Sequence, residues 1–135
     1  MIDQEKINSL VSLATSMRDK AYCPYSNYQV GSAILASSGK LYGGCNVENA
    51  SYPVGICAER VAAAKAVSEG ERSFAAIAVA VSGPSGYPCG MCRQFLNEFI
   101  TGDIPIFLIN SAGEIIQDSF KALLPHSFGP ADMEL

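Results

Sequence analysis

The chain has 135 residues, 49% of them hydrophobic and 16% charged, which suits one globular domain burying roughly two thirds of the surface its unfolded form exposes and hints that some surface is covered between subunits. Its net charge of -4 and its lack of Lys and Arg clusters count against a nucleic acid partner, because phosphate binding depends on such clusters; a small substrate fits better. The longest apolar run, Phe74 to Val81, falls far short of the roughly twenty residues of a membrane helix, and Asp3, Glu5, Lys6, Arg18 and Asp19 break up the N-terminal region, so neither a membrane partner nor a signal peptide is expected.

Ile7, Leu10, Val11, Ala14 and Met17 recur at spacings of three and four behind Asp3, a good N-cap, and predict an amphipathic helix to about Ala21, stopped before Pro24. Tyr28 to Ala36 is β-prone, and Ser37-Ser38-Gly39-Lys40 turns it into a second strand from Leu41 to Cys45, a hairpin. The alanine-rich stretch from Ile56 to Glu69 favours a helix closed by Gly70. Phe74 to Val81 reads as a strand buried at the centre of a sheet. Pro88 sits where a further helix begins, and Phe95, Leu96 and Phe99 carry helical spacing to Ile100. Ile104 to Ile109 and Glu114 to Gln117 predict two more strands around Ser111-Ala112-Gly113, then a short helix near Ser119 to Leu124 and an irregular tail. The pattern is that of one α/β domain over 1–135, without repeats or linkers.

Five cysteines, an odd number, favour metal binding or catalysis in a reducing cytoplasm over a disulfide framework. Cys89 and Cys92 bracket the first turn of a predicted helix, where they share a face and the backbone N–H groups favour thiolates. Cys57 meets the same metal if the two helix starts lie side by side. Three thiolates leave a tetrahedral zinc one position short, and such a zinc holds a water that can be made into a nucleophile. Glu59 is the carboxylate that takes its proton. Residues i and i+2 face opposite ways on a regular helix, so Cys57 and Glu59 share a site only at an irregular entrance, for which Pro53 and Gly55 provide. Three thiolates exceed the charge on zinc, and Arg60 and Arg93 are both positioned to compensate. Taken alone, Cys-x-x-Cys also fits a redox pair, or half of a structural zinc site completed by Cys23 or Cys45. A zinc-stabilised interaction module without catalysis is thus the competing reading.

These residues resemble the small, single-domain cytidine deaminases over nearly the whole chain. Cys57-Ala58-Glu59-Arg60 is similar to the family's first zinc motif in its all-cysteine form, and Pro88-Cys89-Gly90-Met91-Cys92-Arg93-Gln94 to its second. Pro24-Tyr25-Ser26, Gly31, the segment from Gly44 to Ala50, and Leu123-Leu124-Pro125 with Phe128 extend the likeness. The resemblance implies a three-layer α/β/α fold around a mixed sheet of about five strands. It implies zinc on Cys57, Cys89 and Cys92, Glu59 as catalytic residue, and Arg60 as the charge compensating the thiolates.

The implied reaction is hydrolysis of the 4-amino group of cytidine or 2′-deoxycytidine to the uridine compound and ammonia, in pyrimidine salvage. Glu59 takes a proton from the zinc-activated water, gives one to ring N3 and carries another to the departing amino group. The likeness puts Asn46 and Glu48 on the ribose hydroxyls; an amide and a carboxylate suit a diol, and a spacing of two aims both the same way on an extended segment. Ala58 joins the substrate-binding residues, as does Tyr28, which stands where the family usually carries Phe. Ala50, Tyr52 and Phe128 match positions that touch substrate across a subunit interface, which implies a homotetramer with shared sites. A different aminopyrimidine is the nearest alternative substrate, either in a nucleoside antibiotic or within a single strand, the acidic charge counting against the strand.

Overall fold

Residues 2–133 are described by the structure, a computed structural model. Helix α1 spans Gln4–Arg18, and Asp3 caps it as expected, its carboxylate accepting from the Lys6 amide at 2.8 Å. It ends short of Ala21 because the Lys20 and Ala21 amides fold back onto the carbonyls of Met17 and Arg18, tightening the last turn. Strands β1 (Val30–Ala36) and β2 (Leu41–Cys45) form the predicted hairpin. Helix α2 (Ala58–Ser68), β3 (Phe74–Val81), α3 (Gly90–Asn97), β4 (Pro105–Ile109) and β5 (Ile115–Ser119) follow.

The strands lie in the order β2-β1-β3-β4-β5, antiparallel except for the β3–β4 pair. This is the expected mixed five-stranded sheet, and the apolar β3 lies at its centre. Several predicted boundaries move. Cys89 stays extended, at ψ 166, as the cap of α3, so that helix opens at Gly90 rather than Pro88; it closes at Asn97 because the Phe99 and Ile100 amides bond back to Leu96 and Asn97. Ser119 belongs to β5, and the helix predicted from it shrinks to a 3-10 turn at Lys121–Leu123. There the Asp103 carboxylate accepts from the Ser119 hydroxyl and the Lys121 amide, holding the stretch against the start of β4.

Strand β3 alternates between two cores. Ala76, Ala78 and Ala80 meet Leu10 and Ala14 of α1, while Ile77, Val79 and Val81 pack with Ala62, Ala63 and Ala66 of α2 and Leu96 of α3. Helices therefore cover both faces, giving three layers, and each buried aliphatic is worth about 1.5–3 kcal/mol. Helix α2 lies almost on β2: a Cβ at Gly44 would come within 2.5 Å of the Ala62 nitrogen, so only glycine permits that approach.

Helix α2 carries the chain from β2 past β1 to β3, and α3 carries it from β3 to the parallel β4. Both cross on the same face and leave strands of the same direction, so the two helix N-termini open at one end of the sheet. That shared end is what gathers the cysteines. Among the described residues, no helix is long and apolar enough to cross a membrane.

Candidate functional site

Cys57 is the N-cap of α2 and Cys89 the N-cap of α3, both extended, with Cys92 buried one turn into α3. Their three sulfur atoms lie within 4.8 Å of one another, Cys57 and Cys89 at 3.9 Å. A tetrahedral zinc about 2.3 Å from each sulfur spaces its ligands about 3.8 Å apart, so the donor set fits that ion. Neither Cys23 nor Cys45 joins them; the Cys45 sulfur faces the Lys20 carbonyl at 3.5 Å. Among the described residues the cluster thus offers three ligands, not four, and a structural site closed by a fourth cysteine has no support in the geometry.

The conflict between Cys57 and Glu59 is resolved at the helix entrance. A 3-10 turn at Tyr52–Val54, containing Pro53 and capped by Gly55, leads into a bridge between Ile56 and Val47. Cys57 then has ψ 152, outside the helical region, while Glu59 already sits in the first turn of α2. Glu59 is only 4% exposed. Burial first, and the nearby Cys57 sulfur as well, raise its carboxyl to about 7. The Cys92 thiol, followed by Arg60, lowers the Cys57 pKa to about 5, and that same bond to Cys57, with burial, pushes Cys92 up.

Of the two arginines, Arg60 is the one that approaches a cysteine sulfur. Its Nη2 approaches the Cys57 sulfur at 3.7 Å, while its buried Nε has no hydrogen-bond partner among the described residues. Arg93 instead donates to the carbonyls of Pro88 and Leu123, both at 2.7 Å. A guanidinium so occupied is committed to backbone, not sulfur.

A cleft of about 530 Å³ opens beside the cysteines, and it brings Tyr28, Asn46, Glu48, Tyr52, Ala58 and Glu59 together with Cys57, Arg60 and Cys89. Val47 is bridged to Tyr22 on one side and Ile56 on the other, which extends the chain and turns Asn46 and Glu48 the same way. Asn46 accepts from the Val30 amide at 2.9 Å and donates to the Tyr28 carbonyl at 2.8 Å. Glu48 accepts from the Tyr25 and Ser26 amides at 3.1 Å and from the Ser26 hydroxyl, and the hydroxyl bond is the main reason its carboxyl is held below the usual range. Both side chains therefore anchor the loop ahead of β1. Each keeps spare capacity, an amide hydrogen on Asn46 and free lone pairs on Glu48.

The Tyr28 ring lies against Gly83, where a Cβ would meet it at 2.9 Å, and its hydroxyl is 3.4 Å from the Ser85 carbonyl. Tyr52, 73% exposed, leans on Tyr25 with ring centroids 5.6 Å apart. Ala50 and Phe128 do not line this cleft, and Phe128 is 60% exposed. Sequence reasoning missed Val30, Val79, Val81, Tyr87 and Met91 as lining residues; the valines belong to core strands, and nothing in their pattern distinguishes a strand end that floors a cleft.

The model of the cytidine and deoxycytidylate deaminase zinc-binding region matches residues 4–108. The cytidine deaminase of Sporosarcina psychrophila is 44% identical over 129 residues, covering 94% of each chain. That of Halalkalibacterium halodurans is 43% identical over 125 residues, covering 92% of this chain and 95% of its own. Among solved structures, the cytidine deaminase from Burkholderia pseudomallei superposes with a TM-score of 0.85 at 43% identity, covering 90% of this chain and 98% of the other. The Mycobacterium tuberculosis enzyme gives 0.77 at 34% identity, covering 96% and 99%.

Proposed function

The chain belongs to the cytidine and deoxycytidylate deaminase zinc-binding family, and on that premise we propose that it is a zinc-dependent hydrolase converting cytidine and water to uridine and ammonia. The observation that carries this reading is Glu59, a carboxyl nearly sealed from solvent beside three thiols spaced for one zinc. Cys57, Cys89 and Cys92 would hold the metal, with Arg60 offsetting thiolate charge through Cys57. Zinc, when bound, supplies a Lewis acid that eases proton loss from water.

Glu59 holds that proton and delivers it to ring N3 as the water oxygen bonds to C4, then passes the remaining hydrogen of that oxygen to the 4-amino nitrogen, so that the C4–N bond breaks, ammonia leaves and C4 keeps a carbonyl oxygen. Asn46 and Glu48 use their spare capacity on the ribose hydroxyls, while Tyr28 and Ala58 face the base or its sugar. The volume of the cleft suits a nucleoside, and 2′-deoxycytidine is a second substrate. Ala50, Tyr52 and Phe128 serve a neighbour's substrate in a homotetramer. The outward-facing Tyr52, Val54 and Ile56, close together along one segment, support that reading, since apolar groups clustered at the surface mark an interface. Pyrimidine salvage in the cytoplasm is the corresponding role, and one domain over 1–135 performs it.

Loss of cytidine absorbance, followed with nucleosides, nucleotides and free bases before and after zinc chelation, tests this. Cytidine should be consumed with ammonia release, chelation should stop it and zinc restore it, and free cytosine should react far more slowly. A zinc-loaded protein that deaminates none of these compounds would leave the interaction-module reading standing.

A further inference from the structure

Helix α3 grips the C-terminal segment by its backbone. Arg93 spans from the Pro88 carbonyl, at the start of the turn bearing Cys89, to the Leu123 carbonyl. Further along the helix, Gln94 Nε2 donates to the Phe128 carbonyl at 2.9 Å, and Asn97 Nδ2 donates to the same oxygen at 3.3 Å. Gly129 passes so close that a Cβ there would lie 3.2 Å from Asn97 Nδ2.

The gripped segment has little burial of its own. Residues 125–128 are exposed, and His126 takes φ 52 to turn the chain. Such a segment owes its conformation largely to polar bonds like these, and Arg93 fixes its start through a charge-assisted bond to the partly buried Leu123. Yet the result is a Phe128 ring left 60% exposed and off its own chain's cleft. Ordering a segment costs entropy, and ordering it around an exposed aromatic gains little within one chain; it gains affinity when the ring is preset for a ligand elsewhere.

We propose that Gln94 and Asn97, braced by Arg93, are positioning residues that preset Phe128 to stack on the nucleoside held by a neighbouring subunit, an inference that rests on the cross-subunit reading of Phe128 given above. Both amides act through the Phe128 carbonyl and touch neither zinc nor substrate. They therefore set substrate affinity and leave the chemical step alone.

The test compares zinc-loaded wild type, Phe128→Ala, the double variant Gln94→Glu with Asn97→Asp, and the triple variant, by steady-state kinetics on cytidine. The double variant keeps side-chain volume but faces the carbonyl with acceptors in place of donors. Zinc content and subunit number are measured for each protein. The double variant should raise KM about tenfold, the scale of one base–aromatic stack, with kcat within about twofold and zinc unchanged. Phe128→Ala should do the same, and the triple variant no more than either, because the residues act as one unit.

If Phe128→Ala raises KM and the double variant does not, the positioning role is overturned while the reading of Phe128 stands. If Phe128→Ala leaves KM unchanged, that reading falls and the inference with it. Fully additive effects in the triple variant also overturn the inference. Should the double variant not fold, Gln94→Met removes the shorter bond alone, and an unchanged KM there counts equally against the proposal.

Discussion

The floor and the rim of the cleft are built by different means. On the floor, Cys57, Glu59, Cys89 and Cys92 sit at two helix entrances pressed against a packed sheet, and Glu59 and Cys92 are buried. On the rim, Asn46 and Glu48 belong to a connecting segment held by side chain to backbone bonds, and Tyr52 to the 3-10 turn that follows; Phe128, outside the cleft, is held to α3 in the same way. The floor inherits its precision from the fold itself, because the crossover topology opens both helices at one end. The rim depends on a few polar bonds, each worth about 0.5–1.5 kcal/mol. Chemistry is thus tied to global stability and recognition to local anchoring, so substitutions in the two regions should differ in kind as well as size.

Removing a floor ligand gives the largest expected effect. Cys92→Ala should lose bound zinc and essentially all turnover together, seen by metal analysis alongside the deamination rate; a fully active, zinc-replete variant would erase the distinction. Next comes the packing beneath the floor. Gly44→Ala thrusts a methyl at the Ala62 nitrogen and should destabilise by about 1–3 kcal/mol, read as a lower urea midpoint, with activity falling because the start of α2 moves.

Rim substitutions should be milder and selective. Glu48→Gln should raise KM for cytidine about tenfold, since the proposed ribose contact loses its charged partner, with zinc content untouched; equal losses in kcat and zinc would show that the rim is not separate. The smallest effect is on acid stability. The Glu48 carboxyl is held below its ordinary value of 4.5, first by Ser26. A depressed acid stabilises the fold above its unfolded pKa, and that share is lost as pH falls through the lowered value. The Tm of wild type should therefore drop more steeply than that of Glu48→Gln as pH falls below about 4.5, by scanning calorimetry.

Much of the floor was readable in advance because its signals are local. The spacing of Cys89 and Cys92, the cap at Asp3, and the strands Leu41–Cys45 and Phe74–Val81 all depend on neighbours in sequence, and the structure has them where they were expected. The weak link was the turn from Cys57 to Glu59, since helical spacing forbids what an extended cap residue allows. Pro88 misled for a similar reason, marking the approach to α3 and not its first turn.

The rim was harder because its anchors are distant backbone groups. Nothing near Arg93 in sequence announces the Leu123 carbonyl as its partner, and nothing near Gln94 announces Phe128. Asn46 and Glu48 stood out only through the family likeness, and their bonds to residues 25–30 have no periodic signature. Backbone amides and carbonyls are much the same at every position, so long-range bonds to them leave no trace in residue identity.

The central claim is that one buried carboxyl moves the protons of the reaction, and the deamination rate of Glu59→Gln at full zinc occupancy tests it most directly. Turnover of cytidine should fall by on the order of a hundredfold or more with the thermal midpoint and bound zinc retained. A zinc-replete Glu59→Gln that deaminates cytidine at the wild-type rate would contradict the account.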